Sequence, residues 1–160
     1  MKAAVQLSFE LVRQFWTVSR ISLALPLFRK DMTVAKDRDF LIYVVDDEKI
    51  IAVTIAAILK KTGFQVLAFT SPTEALESAR VNAPDLLLTD VVMPQLSGID
   101  LAIQLRLLYP SCRILLFSGQ AATSDMLDAA REQGHEFTIL SKPIHPTDLL
   151  ASISALQTSA

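Results

Sequence analysis

The chain has 160 residues, enough for one domain of ordinary size, and its 51% hydrophobic and 20% charged content excludes wholesale disorder. A single cysteine, Cys112, excludes an intrachain disulfide and a Cys-rich metal site, and a formal net charge of −2 excludes a basic, whole-chain nucleic-acid binder. The charge is unevenly spread: residues 1–38 carry +4 and residues 39–160 carry −6, which divides the chain into an extension (1–38) and a body (39–160).

In the extension, Glu10, Arg13 and Arg20 interrupt the apolar run of residues 1–30 and Pro26 follows. That argues against a spanning helix or a signal peptide. Val5, Phe9, Val12 and Trp16 recur at helical spacing, which fits an amphipathic helix through about Ser19. Such a helix would lie on a membrane surface or cover an apolar patch. The plainer reading is a loosely ordered extension, and a second start at Met32 would make residues 1–31 a leader.

The body alternates. Phe40–Val45 is a continuous apolar run, the mark of a strand buried on both faces, and it stops at Asp46-Asp47. Lys49–Lys61 follows as a helix with Ile50, Ile51, Thr54, Ile55, Ile58 and Leu59 as its apolar stripe, ended by Gly63. Gln65–Thr70 is a short strand. Ser71-Pro72-Thr73-Glu74 has the pattern of a capping box opening a helix to about Val81. Asp85–Asp90 is a second buried strand, Gly98 to about Leu108 a helix closed by Pro110, and Arg113–Ser118 a strand. Ser124–Gln133 is a helix ended by Gly134, Phe137–Ser141 the fifth strand, and Pro146 to about Leu156 the last helix. Five strand–helix units in succession predict a doubly wound parallel sheet with helices on both faces.

The polar residues fall at the strand ends. Asp46-Asp47 closes the first strand, Asp90 the third and Ser118 the fourth, while Lys142-Pro143 follows the fifth. In an open parallel sheet these positions share the carboxyl edge, where ligands bind. Clustered carboxylates repel each other, and a hard divalent cation such as Mg²⁺ relieves that repulsion. Lys142 is a point charge suited to a phosphoryl oxygen, and Ser118 offers a short donor. Each feature alone has an ordinary reading: Asp-Asp as a helix cap, Asp90 as a turn residue, Ser118-Gly119 as a loop start. Their joint placement is what chance rarely produces.

With these residues in view, the sequence resembles the receiver domain of bacterial two-component response regulators. The resemblance rests on Val44-Val-Asp-Asp-Glu48, Leu88-Thr-Asp-Val-Val-Met-Pro94 with Gly98, Phe117-Ser-Gly119 and Ser141-Lys-Pro143, and covers about residues 39–158. It implies a flavodoxin-like five-stranded (βα)5 fold of strand order 2-1-3-4-5. It implies that Asp90 accepts a phosphoryl group from a sensor histidine kinase or a histidine phosphotransfer protein. Asp47, Asp90 and the backbone carbonyl of Val92 would ligate Mg²⁺, with Asp46 acting through a bound water. Lys142 would pair with the phosphoryl oxygens, and Ser118 would report their arrival. The protein would catalyse only its own phosphorylation and dephosphorylation. It would sit in the cytoplasm as a monomer or a phosphorylation-dependent dimer and act on an unidentified downstream protein. Nothing after the last helix has room for an output domain, so the expectation is a stand-alone receiver that docks on partners or passes the phosphoryl group onward.

One position departs from the pattern: three residues before Lys142, where the family usually has an aromatic, stands Ile139, with Phe137 two residues earlier. An aspartate-nucleophile phosphatase of the haloacid-dehalogenase type is the competing enzyme reading. It needs a second Asp two residues beyond the nucleophile, and here Val92 and Glu48 stand there. A receiver that binds partners without phosphorylation is the third reading, and the presence of Asp46, Asp47, Asp90, Ser118 and Lys142 speaks against it. Cys112 reads as a small core residue, and His135 and His145 as loop residues. Met126 and Leu127 fall on the fourth helix, where family members present an output face, although simple packing explains them equally well.

Overall fold

A computed structural model describes residues 40–119 and 123–158, so the reading of the 1–38 extension lies outside the described residues. The elements run β1 (Leu41–Val45), α1 (Lys49–Lys61), β2 (Gln65–Phe69), α2 (Pro72–Val81), β3 (Leu86–Asp90), α3 (Gly98–Leu108), β4 (Arg113–Ser118), α4 (Ser124–Glu132), β5 (Thr138–Ser141) and α5 (Pro146–Thr158). All strand pairs are parallel, and the sheet order is β2-β1-β3-β4-β5. This is the flavodoxin-like order the resemblance implied.

Strand periodicity sorts the core. Tyr43, Leu87, Ile114 and Leu116 face α2 and α3, while Ile42, Val44, Leu88, Leu115 and Phe117 face α1 and α5. The strands β1 and β3 are buried at every position, so their runs are apolar until the strand ends, where Thr89 precedes Asp90 and donates its hydroxyl to the Asp90 carbonyl at 3.1 Å. The one polar atom deep in β1, the Tyr43 hydroxyl, donates to the Asn82 carbonyl at 2.7 Å and pairs with Ser78 Oγ at 2.9 Å.

Local signals set the helix ends. Ser71 Oγ accepts from Glu74 N at 3.4 Å, and Ser97 Oγ accepts from Asp100 N at 3.1 Å, each satisfying one orphan amide of a first turn. Gly63 and Gly134 close α1 and α4 at φ of +97° and +85°, a region side-chain-bearing residues avoid.

The expected face of α1 needs correcting. The residues buried against the sheet are Ala52, Ile55, Ala56 and Leu59, whereas Ile50 is 82% exposed and Thr54 is also exposed. Two alanines let the helix approach the sheet closely. The other isoleucines lie on the neighbouring stripe, where Ile50, Ile51 and Ile58 wall a groove of about 370 Å³ with Lys142, Pro143 and Ile144.

Candidate functional site

The sheet order places the site. After β1 the chain turns to β2 on one side, and after β2 it crosses to β3 on the other. The loops following β1 and β3 therefore diverge and open a crevice at the carboxyl edge. Asp46, Asp47 and Asp90 stand there, and each offers a carboxylate oxygen within 4.8 Å of the other two.

The three aspartates differ in setting. Asp46 is fully buried, and its Oδ1 accepts from Glu48 N at 2.8 Å, which also shapes the entry to α1. Asp47 is exposed. Asp90 is 8% exposed, and its Oδ1 accepts from Val91 N at 2.9 Å. For Asp46 and Asp90 the ordinary capping and turn roles coexist with the cluster, because each uses one oxygen and leaves the other.

Lys142 Nζ takes that other oxygen on two of them, at 3.0 Å from Asp46 Oδ2 and 3.1 Å from Asp90 Oδ2. Its loop is held by Lys142 N donating to the Ser118 carbonyl at 2.8 Å, one step past the Ser118–Ser141 pairing of β4 with β5. The Lys142–Pro143 peptide bond is cis. Burial opposes the ammonium's charge, but hydrogen bonds to Asp46 and Asp90 and their negative charges outweigh it, so its pKa lies above the ordinary 10.5. For Asp90 the balance runs the other way: burial pushes its carboxyl above the ordinary 3.8 with help from the Asp46 charge, against the Lys142 hydrogen bond and charge. The donor set is all hard oxygen, and three carboxylates against one ammonium leave a negative excess, which fits a small divalent cation.

Ser118 is 8% exposed at the end of β4, and Val92 is 41% exposed in the loop after β3. Gln120 lies outside the described residues. Sequence reasoning left two supporting contacts unseen. Gly98 N donates to the Val91 carbonyl at 3.0 Å, so α3 starts against the backbone of Asp90, where a Cβ at Gly98 would collide with the Asp90 carbonyl oxygen. The Phe117 ring lies under Lys142, with Nζ 4.9 Å from its centroid. A glycine just inside a helix, eight residues past an acidic strand end, is a faint signal for the first contact. The second has none.

On the β5 side, Ile139 is 39% exposed, and Phe137 is held by the Arg106 guanidinium at 4.6 Å and stacked with His135 at 6.3 Å. The aromatic two residues before Ile139 is thus held against α3. Met126 is 37% exposed, while the half-buried Leu127 packs on the core. Cys112 is buried at 4% exposure as expected, and the described residues include no helix long and apolar enough to cross a membrane.

Fold and edge chemistry together define a flavodoxin-like domain with an acidic, lysine-bearing cleft. Residues 42–154 match the sequence model of the response regulator receiver domain. The chain belongs to that family, the receiver domains of two-component signalling. Among relatives, the response regulator receiver protein CpdR of Brucella abortus is 33% identical over 102 residues, 64% of this chain and 83% of CpdR. The transcriptional regulatory protein CreB of Escherichia coli is 30% identical over 115 residues, 72% of this chain but 49% of CreB, so the chain spans about half of that relative. The crystal structure of a receiver domain protein from Clostridium thermocellum superposes with a TM-score of 0.65 at 31% identity, covering 72% of this chain and 92% of that one.

Proposed function

We propose that this receiver takes a phosphoryl group onto Asp90 from a phosphohistidine of a sensor histidine kinase or histidine phosphotransfer protein. The observation that carries the reading is the Lys142 ammonium lying between Asp46 and Asp90 in a three-carboxylate cluster at the carboxyl edge of the sheet. A carboxylate oxygen of Asp90 attacks phosphorus, the phosphorus–nitrogen bond breaks, and the leaving imidazole keeps the electron pair. The product is an acyl phosphate. Phosphoryl transfer needs mainly positioning and charge neutralisation, and this site is built for both.

Asp46, Asp47 and Asp90, with the Val92 backbone carbonyl, would hold Mg²⁺. Once bound, the ion neutralises phosphoryl charge and offsets carboxylate repulsion. Lys142 sits within reach of Asp90 and meets the incoming phosphoryl oxygens as their fixed cation. Ser118, at the end of the strand beside β3, donates its hydroxyl to the same group, and its movement carries the change outward. Signalling then proceeds by docking on a downstream protein or by passing the phosphoryl group on. In this reading residues 39–160 are the receiver unit, it works in the cytoplasm, and its only catalysis is of its own phosphorylation state.

The test is incubation with Mg²⁺ and acetyl phosphate, followed by mass spectrometry. One phosphoryl group should be gained, stable in acid and labile to base and hydroxylamine. Loss of this gain with EDTA and with Asp90→Asn is the expected result. A gain that survives Asp90→Asn moves the acceptor elsewhere.

A further inference from the structure

We infer that Phe117 is a positioning residue for phosphoryl transfer, its ring holding the Lys142 ammonium where the phosphoryl oxygens arrive; this rests on the function proposed above. Three partners surround Nζ: Asp46 Oδ2 at 3.0 Å, Asp90 Oδ2 at 3.1 Å and the Phe117 ring, its centroid at 4.9 Å. The ring is fully buried in the core between the sheet and α1 and α5, so it is rigid. Its register partner is Asp90 itself, so ring and acceptor are neighbours on adjacent strands. A cation within about 6 Å of an aromatic centroid is attracted by the face of the ring, more strongly where water is excluded.

The three partners are not equivalent during the reaction. Asp90 changes from a carboxylate to an acyl phosphate, and Asp46 is drawn into the metal site. Both ion pairs are therefore remade, and a long lysine side chain released from them would sample solvent. Phe117 alone keeps its charge distribution and place throughout. Leucine, isoleucine or valine would keep the site apolar but present no negative face to the ammonium. The aromatic ring is thus a choice of electrostatics as well as of packing, and it supplies the constant part of the Lys142 cradle.

Ring fluorination separates the two roles, since fluorine drains the face of the ring with little change in size. Phenylalanines carrying one, two and three fluorines are incorporated at position 117, and the rate of phosphoryl uptake from acetyl phosphate with Mg²⁺ is measured. Thermal unfolding confirms equal folding across the series. The rate should fall stepwise, by roughly three- to tenfold at three fluorines, the size of a partly buried contact of this kind. In parallel, the Lys142 ε-methylene protons, assigned with Lys142→Arg, should be shifted upfield by the ring in the unmodified protein and return to ordinary positions in Phe117→Leu. Normal uptake with a flat series overturns the inference and leaves the proposed function standing, and so does an absent upfield shift. No uptake at all in the unmodified protein overturns both.

Discussion

Gly98→Ala tests how tightly α3 is seated on the acceptor strand. A Cβ at this position meets the Asp90 carbonyl oxygen, with the carbonyl carbon at 2.8 Å and Thr89 Oγ1 at 3.0 Å. The first two atoms are backbone and cannot rotate away. Gly98 N is itself bound to the Val91 carbonyl at 3.0 Å, so relief requires α3 to lift from β3 and lose that bond. Overpacking of this kind costs about 1–3 kcal/mol, while alanine returns at most about 1 kcal/mol of helix propensity, and less in a first turn. The net loss is about 0.5–2.5 kcal/mol, and for a domain of this size 1 kcal/mol moves the midpoint by roughly 4 °C, so Tm should fall by about 2–10 °C. The strain falls on the backbone of Asp90, and a displacement of order 1 Å at a reacting group can cost about a hundredfold in rate, so phosphoryl uptake should drop at least tenfold. Gly63→Ala and Gly134→Ala are the controls. Both would place a Cβ in open space but at positive φ, so they should cost about 1 kcal/mol and leave uptake unchanged. Circular-dichroism melts and acetyl phosphate labelling read the two effects separately. A Gly98→Ala protein with parental Tm and parental uptake would refute the close approach.

Four further expectations follow from the same geometry. The raised pKa of Asp90 means that the folded protein holds this proton more tightly than the unfolded chain, so ionisation costs stability, a cost absent below pH 3.8 and complete once pH has passed the folded-state value. Asp90→Asn should therefore melt at or slightly above the parent at pH 7, with the advantage shrinking towards pH 4 in paired melts. Lys142→Ala leaves Asp46 and Asp90 facing each other without their cation, which should cost about 1–3 kcal/mol given the lysine's partial exposure. Mg²⁺ should still bind and raise the Tm of this variant, while phosphorylation no longer alters partner affinity; collapse of Mg²⁺ affinity would place Lys142 in the wrong role. Val92, 41% exposed two residues past the acceptor, cannot hydrogen-bond an attacking water, so the acyl phosphate should last many minutes and Val92→Asn should shorten its life severalfold in a hydrolysis time course. Cys112 is 4% exposed and its thiol is pushed up to about 12 by burial, so iodoacetamide at pH 8 should label it in urea and not in the native protein.

Element order and the gathering of Asp46, Asp47, Asp90 and Lys142 at one edge could be read before any coordinates, and the strand order followed from the family resemblance. Alternation of buried strands and capped helices admits few parallel topologies, and strand ends are where such a sheet displays its chemistry. The boundaries of α1, α2, α3 and β4 agree residue for residue with the expectation, because Ser71, Ser97, Gly63 and the Phe117-Ser118 step are local signals. What escaped was rotation and contact. Periodicity in α1 pointed to the stripe of Ile50, Ile51, Thr54, Ile55, Ile58 and Leu59, but packing turned the helix to bury Ala52 and Ala56 with Ile55 and Leu59, since small side chains let helix and sheet come closer than isoleucine would. The Phe117–Lys142 contact joins residues 25 positions apart through a loop crossing, and RILLFS alone reads as an ordinary core strand.

The burial gradient across the three aspartates explains how the fold tolerates its own site. Asp46, the deepest, is the most fully satisfied, with an amide on one oxygen and Lys142 on the other. Asp47, without such support, is left in solvent, where repulsion is screened. Asp90 is the compromise: buried enough to resist ionisation, still partly open to solvent, and countered by one shared ammonium. That residual strain is held by β1 and β3, the two strands buried at every position, which fix the backbones of Asp46 and Asp90 from below. In the proposed function, a phosphoryl group and a divalent ion would remove that strain at its source by changing the charge on Asp90 and around it. The same residues that cost the resting fold stability would then supply the difference in free energy between the unphosphorylated and phosphorylated forms, and a site with its carboxylates fully neutralised at rest would have less to signal with.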